Sequence, residues 1–446
     1  MIYFFEEILI FILTKKEVLL LEKFVITGGN RLKGEVNISG AKNAAVAILP
    51  AVLLADSPCV LENVPNIRDV AIILKMLKEM GASIKLINKS TVEIDATRIT
   101  SPVVSYDMAK DIRASYYFLG SMLAKFNKAS VTMPGGCYFG VRPIDQHLKG
   151  FNALGAKDNV EHGMINVEAE KLIGNHIYFD VVTVGATINV MLAAVKAHGL
   201  TIIENAAREP HIVDLANFLN SMGAKIMGAG TDVIKIHGVS SLTGATYSII
   251  PDQIEAGTYM AATVATRGDV LIKNVIPKHL ESISNKFKKM GAEITEFDDS
   301  LRVSVPDKVS KISVKTHPHP GFPTDMQPQI AATLVTADGT SIVTEGVWDN
   351  RFQYVDELKR MGADISVEGK IAVIEGCAGL TGAPVKATDL RAGAALVIAA
   401  LSAKGTTEIE EVFRIERGYE EIIDKLTALG ADIKKITTPS EIAEAL

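Results

Sequence analysis

Cys137 has the most distinctive surroundings of any side chain able to do chemistry in this sequence. It directly follows Pro134-Gly135-Gly136 and precedes Arg142 by five residues. Because a Pro-Gly-Gly run takes the backbone out of regular structure, we expect the thiol on a loop. A nearby cation favours the thiolate. Most single cysteines are small buried apolar residues, but the glycines and Arg142 favour a thiol that reacts or transfers a proton.

A carboxylate and a set of cations complete the candidate chemistry. Asp325 lies in Gly321-Phe322-Pro323-Thr324-Asp325, and a carboxylate with a thiol can supply the base and the acid of one reaction. Guanidinium and ammonium groups bind phosphates and carboxylates. For Arg351 and Arg391 alone, a structural ion pair explains the residue equally well. The candidate cations are Lys42, Arg113, Arg142, Arg351, Arg391 and Arg417.

Several other chemistries lack support in the sequence. We find no Walker A sequence, no His-Glu-x-x-His and no Gly-x-Gly-x-x-Gly after a strand. The three cysteines, Cys59, Cys137 and Cys377, are too widely spaced for a zinc site or a disulfide framework. A net charge of −6 gives no general attraction to nucleic acid or an anionic membrane. We therefore expect no metal, no cofactor and no nucleic-acid partner.

These residues are distributed over six copies of one sequence unit. Each copy contains Met-Gly-Ala or Leu-Gly-Ala, and successive glycines are 74, 68, 68, 71 and 68 residues apart. Six matches at such regular spacing indicate internal duplication. The repeated glycines are Gly81, Gly155, Gly223, Gly291, Gly362 and Gly430.

The parts of the repeated unit predict an α/β fold. Each copy begins with an Ala-rich helical stretch, such as 44–55, 256–266 or 392–403, followed by a short β-branched strand. An amphipathic helix comes next, ends at the repeated glycine in a left-handed cap, and is followed by alternating strands. A chain of 446 residues exceeds one ordinary core. We therefore predict two lobes of three units each.

The starts of the Ala-rich helices carry polar residues that could face a cleft between the lobes. Helix N-termini attract anions through their free N–H groups. As ordinary caps or first-turn charges, Thr187, Glu255 and Asp389 fit this position. Cations oppose the helix dipole there, so Lys42, Arg113 and Arg391 indicate an anionic ligand. The polar residues are Lys42, Asn43, Arg113, Thr187, Glu255, Asp325, Asp389 and Arg391.

The first 22 residues differ from the repeats. The stretch from Met1 to Leu13 is strongly apolar but is interrupted by Glu6 and Glu7. The apolar run is shorter than the roughly 20 residues that a membrane helix needs, and it lacks the features of a secretory signal. We expect an additional N-terminal segment at 1–22, no membrane span and a cytoplasmic protein.

From about residue 24 to the C-terminus, the chain resembles the UDP-N-acetylglucosamine enolpyruvyl transferase family. The resemblance depends on seven short motifs that occur in family order. They are Ser39-Gly40-Ala41-Lys42-Asn43-Ala44, Pro134-Gly135-Gly136-Cys137, Arg142-Pro143-Ile144-Asp145-Gln146-His147, Glu204-Asn205-Ala206-Ala207-Arg208-Glu209-Pro210, Pro320-Gly321-Phe322-Pro323-Thr324-Asp325, Asn350-Arg351-Phe352 and Arg417-Gly418-Tyr419-Glu420.

The resemblance implies an inside-out α/β barrel fold with two lobes, one formed by 42–249 and the other by 24–41 with 250–446. The implied reaction transfers the enolpyruvyl group of phosphoenolpyruvate to the 3-hydroxyl of UDP-N-acetylglucosamine and releases phosphate. It opens peptidoglycan synthesis, proceeds through a tetrahedral intermediate, and requires no cofactor. The active site would lie in the cleft between the lobes.

The resemblance also implies roles for individual residues. Asp325 would take the proton of the sugar hydroxyl. Cys137 would protonate the methylene carbon, form a covalent adduct with phosphoenolpyruvate, and react with the epoxide fosfomycin. The phosphoenolpyruvate ligands would be Lys42, Asn43, Arg142, Arg391 and Arg417. The sugar nucleotide would be held by Arg113, Arg142, Pro143, Ile144, Asp145, Gln146, Thr183, Val184, Gly185, Asp325 and Val347, with Arg351 as a further substrate-binding residue.

Two departures and two rival functions accompany the resemblance. Val181 stands where some members carry a lysine, and His211 stands where an acidic residue is common, a change that we expect at the surface. The sister transferase of the shikimate pathway would lack the Gly-Gly-Cys loop and the Ala-Lys-Asn start. A non-catalytic relative that binds a UDP-sugar is disfavoured because every expected catalytic position is filled.

Overall fold

The computed structural model describes residues 20–109, 112–133, 144–377 and 379–439. Strands in these ranges form six four-stranded sheets with one common pattern. In each sheet the first strand runs parallel to the second, and the other two pairings are antiparallel. The predicted α/β class built from six repeated units is confirmed.

Three sheets come mainly from the first half of the chain. In order across each sheet, their strands are Thr246–Ser248, Cys59–Glu62, Thr91–Asp95 and Ser83–Asn88; Val103–Val104, Lys128–Thr132, Met164–Glu168 and Lys157–Glu161; and His176–Tyr178, Leu200–Glu204, Val233–His237 and Lys225–Met227.

The other three sheets combine the N-terminal strands with the second half. Their strands are Lys33–Asn37, Asp269–Lys273, Ser300–Ser304 and Glu293–Glu296; Ser313–Lys315, Thr340–Thr344, Ile371–Glu375 and Asp364–Glu368; and Pro384–Lys386, Thr406–Glu410, Leu20–Thr27 and Asp432–Pro439.

Each unit contributes one Ala-rich helix that is buried along most of its length. Apolar surface on all sides of a helix requires partners on all sides, and these helices pack against one another behind the sheets. This places helices inside and sheets outside, which is the predicted inside-out arrangement. These inner helices are Lys42–Ala51, Tyr117–Phe126, Val184–Ala194, Gln253–Ala265, Gln327–Leu334 and Leu390–Ser402.

The second helix of each unit either is shorter than the inner helix or has one apolar face and one polar face. Each is followed by one of the six repeated glycines, whose φ angles lie between 91° and 113°, so the predicted left-handed caps are confirmed. No helix in the described ranges is both long and apolar enough to cross a bilayer. The second helices are Arg68–Met80, Asp145–Ala153, Pro210–Ser221, Glu281–Met290, Val355–Arg360 and Ile422–Ala428, and a short helix at Tyr106–Ala109 is additional.

The buried apolar residues form two separate cores. One core draws on residues 41–249, and the other draws on 24–38 together with 254–433. The chain passes between them through two crossing segments, 38–41 and 249–252. As a result, the strand Lys33–Asn37 pairs with Asp269–Lys273 in the second core, while Thr246–Ser248 pairs with Cys59–Glu62 in the first.

The two crossing segments run side by side and are hydrogen bonded to each other. The N–H of Ala41 donates to the carbonyl of Ile250 at 2.7 Å, and the N–H of Asp252 donates to the carbonyl of Ser39 at 2.9 Å. Gly40 is required here because a Cβ atom would lie 1.8 Å from the carbonyl oxygen of Asn63. The crossing segments are therefore held both to each other and to the body of the protein.

A buried ion pair fixes the first crossing segment to the second core. Glu255 accepts the N–H of Ser39 at 2.8 Å and the Nζ of Lys425 at 2.6 Å. The same Nζ donates to the Ser39 hydroxyl at 2.7 Å. Glu255 is 2% exposed. Burial raises its pKa to about 7, although Lys425 opposes the shift.

We predict that Glu255 makes the protein less stable as the pH rises through neutrality. Its folded pKa of about 7 exceeds the ordinary 4.5, so its favourable contribution is complete below 4.5 and is lost as the pH rises towards 7. Between pH 5 and 8, the free energy of unfolding of the wild type should fall by roughly 2–3 kcal/mol more than that of Glu255→Gln. Urea unfolding at both pH values measures this, and parallel curves would contradict it.

Candidate active site

The starts of the inner helices bring predicted site residues from both cores together. Lys42 and Asn43 begin the helix Lys42–Ala51, and Arg391 is the second residue of Leu390–Ser402. Asp325 lies in Thr324–Met326, which forms one turn of 3-10 helix immediately before the helix Gln327–Leu334. The repeated fold therefore positions the cluster, because it brings the N-terminal ends of these inner helices close together.

Asp325 is the centre of this cluster. Arg391 Nη2 donates to its Oδ2 at 2.9 Å, Arg351 Nη2 lies 3.5 Å from its Oδ1, and Asn43 Nδ2 lies 3.4 Å from its Oδ2. The side chains of Arg351 and Arg391 are 3% and 4% exposed, whereas that of Asp325 is 30% exposed. The carboxylate is thus accessible to solvent, and two buried guanidinium groups hold it.

The two arginines determine the ionisation of Asp325. Burial alone would raise the pKa of its carboxyl group, but Arg391 and then Arg351 outweigh burial and hold the pKa well below its ordinary value. The group is therefore a carboxylate throughout the neutral range and a weak base while both arginines engage it. An anion that drew Arg391 away would raise the pKa of Asp325 and make it a better proton acceptor.

Arg391 is itself fixed by neighbouring side chains. Its Nη1 donates to the Tyr419 hydroxyl at 3.2 Å, and that hydroxyl also contacts Thr258 at 2.9 Å and Gln329 at 3.2 Å. Asp389 caps the helix by accepting the N–H of Arg391 at 2.8 Å, which confirms Asp389 as a cap. Both the backbone and the guanidinium of Arg391 are therefore positioned before any substrate anion reaches them.

Asp69 is a second central carboxylate, and no motif in the sequence indicates it. Lys42 Nζ lies 2.9 Å from its Oδ2, and Arg417 Nε donates to its Oδ1 at 2.8 Å. Asp69 is 2% exposed. It lies in the first turn of the helix Arg68–Met80, where acidic residues are common for reasons of helix stability alone. The contact joins the two cores, since Arg417 belongs to the second and Asp69 to the first.

Gly418 makes this shared contact possible. A Cβ atom at this position would lie 3.0 Å from Lys42 Cδ and 2.7 Å from Leu390 Cδ2. The backbone at Gly418 packs against these two side chains, which brings Arg417 and Lys42 onto the same carboxylate.

Some of the residues predicted to hold the sugar nucleotide, in the stretches 144–146 and 183–185, form a second group. Gln146 Nε2 donates to the Asp180 carboxylate at 3.0 Å, and the N–H of Asp180 donates back to Gln146 Oε1 at 3.0 Å. Thr183 caps the helix Val184–Ala194 by accepting the N–H of Ala186. The stretches 144–146 and 183–185 are therefore adjacent.

His147 lies next to both of these stretches, because it directly follows Gln146 and its ring contacts Gly185. Asn189 Nδ2 lies 2.8 Å from His147 Nδ1, and burial lowers the pKa of His147 to about 4, so the ring is neutral at pH 7. A Cβ atom on Gly185 would lie 2.9 Å from His147 Nε2. Glycine is thus needed for the backbone of the 183–185 stretch to lie against this ring.

Glu345 connects Val347 to the Asp325 turn. This carboxylate is 1% exposed and accepts the N–H groups of Val347 at 2.8 Å and Trp348 at 3.0 Å. Its other oxygen accepts the Thr324 hydroxyl at 3.1 Å. A single buried glutamate at the end of a strand carries no sequence signal, so this residue was also missed.

Some predicted site residues lie outside the described residues. Cys137, Arg142 and Pro143 fall in the gap 134–143, and most of the 1–22 segment precedes residue 20. Arg113 begins the 3-10 helix Arg113–Tyr116. Their roles stay predictions.

Glu255 lies in the first turn of the helix that Asp252 caps, as expected of a first-turn charge. Two other expectations were wrong. Thr187 is not a cap, because its helix begins earlier and is capped by Thr183. Thr187 instead donates its hydroxyl to the carbonyl of Thr183 at 2.7 Å. His211 is not at the surface, since it is only 7% exposed and burial lowers its pKa.

Sequence comparison shows what this chain is similar to. The family model for EPSP synthase (3-phosphoshikimate 1-carboxyvinyltransferase) matches residues 26–426. The UDP-N-acetylglucosamine 1-carboxyvinyltransferase 3 of Caldanaerobacter subterraneus subsp. tengcongensis is 58% identical over 416 residues, covering 93% of this chain and 100% of the relative. The UDP-N-acetylglucosamine 1-carboxyvinyltransferase of Clostridium botulinum is 57% identical over 417 residues, with coverage of 93% and 100%.

Structural comparison agrees with the sequence comparison. The enolpyruvyl transferase NikO of Streptomyces tendae superposes with a TM-score of 0.85 at 26% identity, covering 94% of this chain and all of that protein. An EPSP synthase of Acinetobacter baumannii superposes with a TM-score of 0.73 at 18% identity, covering 93% and 100%. Because the EPSP synthase is only 18% identical to this chain, the superposition shows that the two share a fold and does not bear on function.

We predict that Asp69 is necessary for stability as well as for the arrangement of the cluster. Asp69→Asn leaves Lys42 and Arg417 largely buried without their counter-charge, so the free energy of unfolding should fall by about 3 kcal/mol. Asp269 provides a matched control, because it binds Arg302 through two contacts on the exposed surface, and Asp269→Asn should cost about 1 kcal/mol or less. Equal losses in urea unfolding would contradict the prediction.

Proposed function

The chain belongs to the EPSP synthase family of carboxyvinyltransferases, in the branch of its UDP-N-acetylglucosamine 1-carboxyvinyltransferase relatives, and we propose that it transfers the enolpyruvyl group of phosphoenolpyruvate to the 3-hydroxyl of UDP-N-acetylglucosamine. Phosphate is the second product. The reaction is the first committed step of peptidoglycan synthesis.

One observation of the site supports this function most directly. Asp325, a carboxylate that is ionised at neutral pH and therefore free of a proton, lies in the same cluster as the cations Lys42, Arg351, Arg391 and Arg417. Phosphoenolpyruvate carries a carboxylate and a phosphate, and the acceptor carries a diphosphate. The reaction needs a base at the hydroxyl and cations at these anions.

The proposed chemistry is an addition followed by an elimination. Asp325 takes the proton of the acceptor hydroxyl, whose oxygen attacks the phosphate-bearing carbon of phosphoenolpyruvate. The methylene carbon takes a proton from Cys137 and becomes a methyl group. In the second stage the Cys137 thiolate takes a proton back from the methyl group and the double bond re-forms. The carbon–oxygen bond to phosphate breaks, and phosphate leaves with the electron pair of that bond and the proton that Asp325 had taken from the hydroxyl.

The contacts of Asp325 suggest how substrate binding activates it. Arg391 is shared, because an anionic group of phosphoenolpyruvate and Asp325 compete for the same guanidinium. When the substrate anion engages Arg391, its hold on Asp325 weakens and the pKa of Asp325 rises. The base therefore becomes effective only when the substrate that it serves is in place.

In the proposed reaction, Asp69 positions two cations that stabilise the leaving phosphate. It holds Lys42 and Arg417 next to each other through one carboxylate. Two cations fixed in advance stabilise charge developing on the leaving phosphate without having to reorganise. Asp69 need not touch the substrate to have this effect.

We further propose two lobes, 42–249 and 24–41 with 250–446, which close over the substrates as many transferases do. A cytoplasmic location fits three widely spaced cysteines that are expected to stay reduced.

A phosphate-release assay tests the function. Phosphoenolpyruvate with UDP-N-acetylglucosamine should release phosphate, and phosphoenolpyruvate with shikimate 3-phosphate should not. Turnover with shikimate 3-phosphate would instead identify the sister enzyme. Release with neither acceptor, despite UDP-sugar binding, would favour a non-catalytic relative.

We predict that Asp325→Asn separates catalysis from binding. Asparagine keeps the size of the side chain but cannot take a proton, so kcat should fall by about 10²–10⁴-fold. The KM for phosphoenolpyruvate should not rise, since the variant removes a carboxylate that competes for Arg391. Steady-state kinetics measures both constants. A kcat within threefold of the wild type, or a raised KM with unchanged kcat, would refute the assigned role.

We predict that Cys137→Ala binds UDP-N-acetylglucosamine normally but loses turnover. Cys377→Ala is the control, because Cys377 packs against the second core, and it should keep full activity.

Fosfomycin should add to the Cys137 peptide and not to the peptides with Cys59 or Cys377, as measured by mass spectrometry. Normal rates in Cys137→Ala, or an adduct elsewhere, would count against this assignment.

A further inference from the structure

Asp252 contacts the starts of two inner helices that belong to different cores. Its Oδ1 accepts the N–H groups of Ile254 at 2.7 Å and Glu255 at 3.0 Å, at the start of the helix Gln253–Ala265. Its Oδ2 accepts the N–H of Lys42 at 2.9 Å, at the start of Lys42–Ala51. The residue is 5% exposed. One buried negative charge therefore lies at the positive ends of two helices.

The sharing arises from an asymmetry between the two crossing segments. Ala41 and Asp252 occupy the same position, directly before an inner helix. The first residues of any helix have N–H groups without a partner in the helix. Ala41 has no side-chain acceptor to offer them. Because the crossing segments are paired, the carboxylate of Asp252 reaches the helix that Ala41 leaves uncapped.

The helix capped by Asp252 also leads to the other half of the site. Gln253–Ala265 packs against both Gln327–Leu334, which follows Asp325, and Leu390–Ser402, which carries Arg391. The hydrogen bond that the Lys42 N–H donates to Asp252 therefore relates the start of the first-core helix to the elements that hold the base and its arginine.

We propose that Asp252 is a positioning residue that sets Lys42 and Asn43 relative to Asp325 and Arg391. It acts through the backbone N–H of Lys42 and not through contact with substrate. Its effect on activity is interpreted through the proposed function, in which Lys42 and Asn43 bind phosphoenolpyruvate. The backbone pairing of the crossing segments would survive its loss, since those bonds involve main-chain atoms only.

Asp252→Asn is a selective test. Asparagine is a good N-cap, so its single acceptor oxygen can still serve Ile254 and Glu255. Its NH₂ group cannot accept the N–H of Lys42. We therefore expect a folded protein in which the Lys42 amide exchanges with deuterium at least about tenfold faster, while the amides of Ile254 and Glu255 keep their protection.

Kinetics supplies the second readout. The KM for phosphoenolpyruvate should rise about tenfold in Asp252→Asn, while the KM for UDP-N-acetylglucosamine changes by less than about twofold. Arg267→Gln is the control for general destabilisation. Arg267 binds the carbonyls of Val264 and Thr336 at the opposite end of the same helix, so this variant should lower stability without raising the KM for phosphoenolpyruvate or the exchange rate at Lys42.

Three outcomes would overturn the proposal. They are an unchanged exchange rate at Lys42 in Asp252→Asn, a faster rate with an unchanged KM for phosphoenolpyruvate, and equal losses for both substrates that match those of Arg267→Gln. If the wild type shows no turnover with these substrates, the proposed function fails separately. Exchange at Lys42 and direct binding of phosphoenolpyruvate by calorimetry then decide the role of Asp252.

Discussion

The arrangement of the site depends on placing four cationic side chains on two carboxylates. Arg351 and Arg391 converge on Asp325, and Lys42 and Arg417 converge on Asp69. Burying any of these charges without a partner would cost several kcal/mol. The inner helices must therefore start at one place, and the two cores must lie close enough for Arg417 to reach Asp69. The convergence of the helix starts and the closeness of the two cores are the features of the architecture that allow these contacts.

The same contacts explain why these cations can bind substrate anions. A cation near a helix N-terminus is unfavourable, and the sequence suggested that an anionic ligand offsets this. The structure shows that protein carboxylates provide part of that compensation: Asp325 for Arg391 and Asp69 for Lys42. A substrate anion thus shares or replaces an existing partner. In the proposed mechanism this exchange releases the base when phosphoenolpyruvate arrives.

The repeats made much of the fold predictable. Six glycines at regular spacing indicated six units and six left-handed caps, and each of these glycines has the expected backbone conformation. The cations were also predictable, because charged residues at the starts of Ala-rich helices are conspicuous. Asp69, Asp252 and Glu345 were not, since each is an ordinary residue for its local position. Their importance comes from partners far away in the sequence.

The wrong expectations have a related cause. Thr187 is not the expected cap because its helix begins a few residues earlier than predicted, and the true cap, Thr183, precedes it. His211 follows a proline at a helix start, a position that is often exposed, but it is buried, and Asp325, Asp252 and His319 from the second half of the chain lie near enough to act on its charge. Local patterns locate helices well, but they do not reveal which helix ends are covered by another part of the chain.

The central claim is that Arg391 and Arg351 control the ionisation of Asp325 and that substrate changes this control. A carbon-13 NMR titration of the Asp325 carboxyl group, assigned by comparison with Asp325→Asn, tests it directly. We expect a pKa well below that of an ordinary aspartate in the protein alone, and a higher pKa when phosphoenolpyruvate is bound. An ordinary pKa that phosphoenolpyruvate leaves unchanged would contradict the account.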